Sequence, residues 1–321
     1  MNFYSVIIFS YFIVAFLLLY FINRDRKNKE VFFGRHAKIA WTTIIILILG
    51  MILAVYARFI EPKIMRINNV SIKIENIQNL KIAFIADIQL GSYKKTEWAE
   101  KIVDNLKQIK PDLIILGGDL IDNEGTFEDE SVYLEPFGEL ARQYPIYYIM
   151  GNHEYGIGNE ARDNKRYETG DRSELVISRM QKLGIPLLKN DLACPTIKDQ
   201  KICLYGIDDI WSRPVSFDKL KEWDQKIPLI FLTHNPDGIL LWPKDMKKPD
   251  LVLAGHTHGG QVWLPFIGPL GDAGVVLGKK YYRGLNYWGG IPIFTTVGIG
   301  ESGGEVRFLT WPEIAVINIK S

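Results

Sequence analysis

The sequence predicts an α/β domain preceded by two membrane-crossing helices, and three observations carry that prediction. Two long runs without charge, Phe3–Ile22 and Ile39–Tyr56, fill most of the first sixty residues. Beyond them, short apolar runs alternate with helical spacing, the pattern of a mixed or parallel sheet with helices on its faces. Five of those apolar runs stop at polar groups able to hold a cation: Asp87 and Gln89, Asp119, Asn152 and His153, His234, and His256 with His258.

The two apolar runs are long enough to cross a hydrocarbon core of ~30 Å, and neither has a polar face. Met1-Asn2 offers no positive leader and the first run ends in bulky residues, so a cleaved signal peptide is not expected. Helices are expected at about 3–22 and 39–57, giving a membrane anchor over residues 1–60 and a catalytic domain over 62–321. The loop between them carries Arg24, Arg26, Lys27, Lys29, Arg35 and Lys38 against Asp25 and Glu30. A short basic loop stays in the cytoplasm, which places the large domain outside it. Arg58, Lys63 and Arg66 follow the second helix and reduce that bias. The expected location is therefore the cell membrane, spanned more than once, with the catalytic domain extracytoplasmic.

A net charge of +1 supplies no basic field, and no nucleic acid partner is expected. Two cysteines, Cys194 and Cys203, are too few for a disulfide framework or a cysteine metal site. One bridge across a hairpin is open to them in an oxidising compartment; two buried free thiols is the reading favoured here.

The domain opens on Val70, Ile72 and Ile74, which alternate with Ser71 and Lys73 as in a half-buried strand. Lys81–Ala86 is a continuous apolar run ending at Asp87-Ile88-Gln89. Trp98, Ile102, Val103 and Leu106 then recur at helical spacing, and Pro111 closes that helix. Leu113–Leu116 ends at Gly117-Gly118-Asp119, and Ile146–Met150 ends at Gly151-Asn152-His153-Glu154. Gly158–Asp171 is polar and without period, a loop over the site. Glu174–Lys182 reads as helix. Ile202–Leu204 and Leu229–Leu232 read as strands, the second ending at Thr233-His234-Asn235-Pro236. Leu251–Ala254 leads into Gly255-His256-Thr257-His258, where an extended backbone would point both imidazoles to one side. Ile293–Val297 and Ile314–Ile319 close the domain.

Open α/β sheets place ligand sites at the carboxyl ends of their strands, so the five polar strand ends can converge. Three imidazoles, two carboxylates and two amide oxygens suit two divalent cations. Ions held ~3.5–4 Å apart can clamp a phosphoryl group and supply hydroxide near neutral pH. Two such ions against two carboxylates leave the site at +2, matched to an anionic phosphoester and a hydroxide.

Taken in order, Asp-x-Gln, Gly-Gly-Asp, Gly-Asn-His-Glu, Thr-His-Asn-Pro and Gly-His-Thr-His-Gly-Gly-Gln-Val resemble the calcineurin-like metallophosphoesterases. The likeness runs from about Lys81 to the C-terminus. Gly259–Val262 and the segment from Gly298 to Pro312 are similar to the membrane-associated bacterial branch, which includes lipid-precursor pyrophosphatases similar to UDP-2,3-diacylglucosamine hydrolase. The resemblance implies a βαββα sandwich with two metals. It assigns Asp87, Gln89, Asp119 and His258 to the first metal and Asp119, Asn152, His234 and His256 to the second, with Asp119 bridging. His153 would protonate the leaving oxygen, a role suited to an imidazole.

Gln89 departs from the family pattern, which has His there. A carbonyl oxygen is a harder and weaker ligand than imidazole and favours Mn²⁺, with Mg²⁺, Fe and Zn²⁺ also compatible. The expected activity is hydrolysis of a phosphodiester or pyrophosphate, a lipid-linked substrate among them. Two other readings stay open: a cytoplasm-facing nucleotide-lipid pyrophosphatase, and a metal-binding scaffold without turnover. Asp208-Asp209 are expected as solvated loop acids, Arg307 as a surface ion pair, and Trp263, Tyr281, Tyr282 and Trp288 as core or as an apolar wall.

Overall fold

The computed structural model describes residues 3–124, 126–158 and 166–320. Helix α1 (Phe3–Asp25) and helix α3 (Ala37–Phe59) are joined through a short α2 (Phe32–Arg35). Both long helices are apolar enough to cross a membrane. Their large side chains point outward, Phe9, Phe16, Ile46 and Ile52 among them, which suits lipid as the surrounding medium. The two pack on each other at Tyr11, whose hydroxyl donates to Leu47 O at 3.2 Å beside Gly50.

The rest of the chain forms strands β1 (Arg66–Lys73), β2 (Leu80–Ile85), β3 (Leu113–Gly117), β4 (Ile146–Ile149), β5 (Asp191–Ala193), β6 (Thr196–Ile197), β7 (Gln200–Lys201), β8 (Cys203–Gly206), β9 (Leu229–Leu232), β10 (Leu251–Ala254), β11 (Trp263–Leu264), β12 (Gly268–Pro269), β13 (Gly284–Trp288), β14 (Ile291–Thr295) and β15 (Glu313–Lys320). Helices α4 (Thr96–Ile109), α5 (Phe137–Ala141) and α6 (Ser173–Lys182) lie among them. One sheet has the order β1-β15-β2-β3-β4, antiparallel only between β15 and β2. The other has the order β13-β14-β10-β9-β8-β5, parallel except at its two edges.

Period-two burial explains why the sheets stack. Along β2, Ile82, Phe84 and Ala86 face the second sheet, while Ala83 and Ile85 face the helices. Across the gap Leu232, Leu253 and Phe294 complete this inner layer. Each fully buried side chain of this kind contributes roughly 1.5–3 kcal/mol. The outer face of the first sheet is covered by α4, α5 and α6 through Ile102, Leu106, Phe137, Val176 and Met180. The second sheet differs from the expected helix covering. Its outer face is closed by Trp223, Trp242 and Tyr281, with 3₁₀ turns at Asp218–Glu222 and Pro236–Leu241. Tyr282 is also buried, while Trp263 and Trp288 are half-buried.

Three expectations are corrected here. Cys194 and Cys203 are bridged and not free, because Ala193 pairs with Leu204 and so sets the two cysteines across from each other. Arg307 is fully buried and makes no surface ion pair; its guanidinium donates to the Glu301 carboxylate and to three backbone oxygens, those of Val297, Thr310 and Gly300. Asp208 and Asp209 are buried as well, each held by hydroxyl donors, Tyr155 on the first and Ser212 on the second. Of the expected loop Gly158–Asp171, residues 159–165 lie outside the described residues.

Candidate metal centre

The polar strand ends of both sheets meet. Asp87 and Gln89 follow β2, Asp119 follows β3, and Asn152 and His153 follow β4; His234 follows β9, and His256 and His258 follow β10. All eight are buried. Ligand atoms of Asp119, His234 and His256 lie within 4.8 Å of one another, and so do those of Asp87, Asp119 and His258. Asp119 belongs to both groups.

The backbone reaches this arrangement by a route the sequence does not announce. His256 (φ 70°) and His258 (φ 48°) are left-handed, not extended, and Asp87, Gln89 and Asp119 share that conformation at φ 51°, 52° and 51°. Non-glycine residues rarely adopt it, and such strain gathers where surrounding structure imposes it for function. The neighbouring glycines allow the close approach. A Cβ on Gly151 would stand 2.2 Å from Asp119 Oδ1, and one on Gly255 would stand 2.7 Å from Asp87 Oδ2.

Each imidazole spends one nitrogen on the backbone. His234 Nδ1 lies 2.8 Å from Gly117 O, His256 Nε2 lies 3.1 Å from Ala273 O, and His258 Nδ1 lies 3.2 Å from Gly300 O. Such bonds fix the tautomer and aim the other nitrogen. His234 Nε2 faces Asp119 Oδ2 at 3.1 Å without hydrogen-bond geometry, and His258 Nε2 faces Asp87 Oδ1 at 3.6 Å. His256 Nδ1 meets Asn152 Oδ1 at 2.9 Å, while Asn152 Nδ2 donates to Ile157 O.

These contacts test whether cations fit. A neutral imidazole has one N–H, so His256 cannot donate to both Ala273 O and Asn152 Oδ1. With Nε2 donating, a nitrogen lone pair and an oxygen lone pair converge at 2.9 Å, an arrangement that a shared cation relieves. Gln89 donates its amide to Asp119 Oδ2 at 3.1 Å and leaves its buried Oε1 with no partner. The oxygen and nitrogen donors present fit two divalent ions.

Charge reinforces the fit. Burial raises Asp87 to about 7 against the pull of His234. Burial opposes ionisation of Asp119 too, yet His234 and His153 hold it below the usual carboxylate range. Burial disfavours charge on His234, but Asp119 and Asp87 push it up to about 10. Burial and the neighbouring His234 bring His256 down to about 3, and burial with Arg307 takes His258 well below its usual value. Two imidazoles are thus kept neutral, as ligands must be.

Several residues of the site carried no sequence signal of their own. Glu154 accepts from the backbone N–H groups of Asp119, Leu120, Ile121 and Gly151, tying the β3 and β4 loops together. Its position beside His153 was its only clue. Burial and Asp119 raise it to about 7. Asn123 donates to His153 O, Trp211 packs edge-on against His256 at 4.3 Å, and the Tyr167 hydroxyl lies 3.3 Å from His153 Nε2.

The sequence model of the calcineurin-like phosphoesterases matches residues 80–260. The chain is 30% identical over 273 residues to the uncharacterized metallophosphoesterase YkuE of Bacillus subtilis, covering 83% of this chain and 89% of that one. It is 30% identical over 254 residues to the phosphodiesterase YaeI of Escherichia coli, covering 76% and 84%. A transmembrane protein with metallophosphoesterase domain from Danio rerio is 25% identical over 97% of this chain and 71% of its own. With a match across more than half its length and a strand-end cluster of the right donors, this chain belongs to the calcineurin-like phosphoesterases and is a metal-dependent phosphoester hydrolase.

Proposed function

We propose that the protein is a membrane-anchored, dinuclear phosphoesterase that cleaves phosphodiesters or pyrophosphates, lipid-linked ones among them, outside the cytoplasm. The observation that carries the dinuclear reading is the membership of Asp119 in both ligand groups. In this reading Asp87, Gln89, Asp119 and His258 hold one ion, and Asp119, Asn152, His234 and His256 hold the other. Mn²⁺ suits the oxygen-rich first set. Two divalent ions there would neutralise phosphoryl charge and acidify a water.

The chain's own residues do the rest. His153 N donates to Asp119 Oδ1 at 2.9 Å, so one carboxylate oxygen is fixed and Oδ2 turns toward His234 and Gln89. His153 Nδ1 lies 2.5 Å from Asp122 O, which leaves Nε2 to carry a proton to the leaving oxygen. Asp87 accepts from His256 N with both oxygens and so anchors the two-histidine loop.

Two features support an extracytoplasmic domain: the basic loop between α1 and α3, and the Cys194–Cys203 bridge, which persists in oxidising compartments. An alkaline phosphatase fusion after Ser321 that stays silent would reverse this orientation.

The full-length chain is expected to hydrolyse bis(p-nitrophenyl) phosphate with Mn²⁺. His153→Ala is expected to retain metal and to lose on the order of 10²–10⁴ in kcat for alkyl esters, and less for nitrophenyl esters, whose leaving groups need no proton. No turnover with Mn²⁺, Mg²⁺, Fe²⁺ or Zn²⁺ would leave a metal-binding scaffold.

A further inference from the structure

The β11–β12 hairpin grows out of the metal loop, and its tip is apolar where a water-facing turn would be polar. Phe266 is fully exposed, Ile267 is 69% exposed and Leu270 is 56% exposed. Phe266 also holds a left-handed φ of 67°, a conformation that Gly or Asn adopts at lower cost. Exposed Val276 lies just beyond, followed by exposed Lys279 and Lys280.

The hairpin base is tied to the end of α3. Trp263 N donates to Phe308 O at 2.8 Å, Phe308 N donates to Gln261 O at 3.0 Å, and the adjacent Arg307 N donates to Ala57 O of α3 at 2.9 Å. Further bonds hold the same helix end. Arg58 pairs with Glu305, and Trp311 Nε1 donates to Tyr56 at 3.0 Å. Next to Trp311 lies a groove of about 560 Å³ whose lining includes Arg66 and Arg283. Each arginine stacks on an indole, Arg66 on Trp311 at 3.5 Å and Arg283 on Trp263 at 3.7 Å. Indole, phenol and guanidinium groups around an apolar projection are the composition of a membrane interface.

The metal centre shares this face. The guanidinium of Arg307 donates to Gly300 O, which also receives His258 Nδ1. One buried arginine thus spans from the last turn of α3 to the carbonyl that orients a site histidine. After the hairpin, Ala273 O orients His256. The hairpin therefore lies in the chain between the two histidines and Ala273, whose carbonyl orients one of them.

We propose that the Leu264–Leu270 hairpin tip inserts into the bilayer crossed by α3 and seats the metal centre at the lipid headgroups, where the phosphoester of a bilayer lipid would reach it. The proposal rests on the reading of α1 and α3 as membrane-crossing. The bilayer is favoured over a second copy of the chain because the hairpin is bonded through residues 307 and 308 to the helix end itself.

The test uses the full chain in nanodiscs of phosphatidylcholine and phosphatidylglycerol. The native cysteines are bridged, so Phe266→Cys carries an NBD label at one position; Ile267→Cys is the second variant. Gln225→Cys is the reference, exposed in the loop that enters β9 at the end away from the site. Emission at 266 and 267 is expected to shift to the blue and to be quenched several-fold more by shallow doxyl lipids than at 225. Water-like, unquenched emission at both hairpin positions overturns the proposal, as does a blue shift that appears only with rising protein-to-lipid ratio, the mark of a second copy. Turnover of bis(p-nitrophenyl) phosphate on the same samples separates the outcomes. Insertion without turnover refutes the phosphoesterase reading alone, and turnover without insertion refutes the hairpin alone.

Discussion

The two sheets bring different chemistry to their shared edge. The first supplies oxygen: the carboxylates of Asp87 and Asp119 and the amides of Gln89 and Asn152. The second supplies nitrogen: His234, His256 and His258. The oxygen half is buried and self-repelling: burial first, with the Asp119 charge adding to it, raises both Asp87 and Glu154 to about 7. Much of the nitrogen half is kept neutral by burial, as His256 shows at about 3. Neither half makes a complete site. The centre is a property of the contact between the sheets, and each half tunes what the other can hold.

The same two sheets also meet at a contact made only of protein. Lys94, after β2, is buried and donates to Glu301, after β14, at 2.9 Å; Glu301 also accepts from Arg307 at 3.0 Å. There the opposing charges are supplied by side chains, so that seam needs no ion. The difference predicts that the metal seam depends on divalent ions and the Lys94 seam on pH.

The largest effect is expected at the shared carboxylate. Asp119→Asn removes the negative charge common to both ligand groups and raises repulsion between the cations. Bound metal and activity are expected to fall together, by more than about 100-fold in turnover, the upper range lost when even an indirect metal partner is removed. Full metal occupancy with unchanged turnover would dissolve the two-ion reading.

A smaller effect is expected at Gln89. Gln89→His places nitrogen in the oxygen half, on a residue whose buried carbonyl has no partner. Mn²⁺ activation is expected to weaken relative to Zn²⁺, because added imidazole favours Zn²⁺. Activity measured against the concentration of each metal decides; superimposable curves for the two proteins would mean that Gln89 does not touch the ion.

The smallest effect belongs to the metal-free seam. Burial lowers Lys94 to about 8, with Glu301 opposing the shift. The folded value lies below the unfolded one of about 10.4, so the unfolded chain binds more protons in between and stability rises with pH across that window. Between pH 7 and 9 this group is expected to add about 1 kcal/mol, a gain absent in Lys94→Met. Parallel unfolding curves for both proteins at the two pH values would place the Lys94 ammonium in water.

Much of this was legible in order along the chain. Apolar runs of four to six residues, rich in Ile, Leu and Val and closed by Gly, Asp or Thr, are too short for helices and read as buried strands, and their polar endings named the residues that the structure gathers at one edge. Helix α4 was readable from the spacing of Ile102, Val103 and Leu106, with Lys110 turning left-handed just before Pro111. The long uncharged runs gave α1 and α3 because length and composition alone decide whether a helix can live in lipid.

Register, burial of charge and backbone hand were not legible, because each is set by partners remote in sequence. Cys194 finds Cys203 only through the pairing of β5 with β8. Arg307 looked like a surface residue until the backbone of residues 297–310 wrapped around its guanidinium, offering Val297 O and Thr310 O beside Glu301. His256 and His258 reach the site through left-handed turns and not through an extended run, since Gly255 must pass against Asp87 before the chain can turn. Tyr167 and Trp211 meet His153 and His256 from other loops. The amino-acid sequence determined which side chains can bind a cation and which segments must be buried, because both follow from the chemistry of each residue and its near neighbours. The tertiary structure decided which of them meet, because that depends on how two sheets stack and where their loops cross.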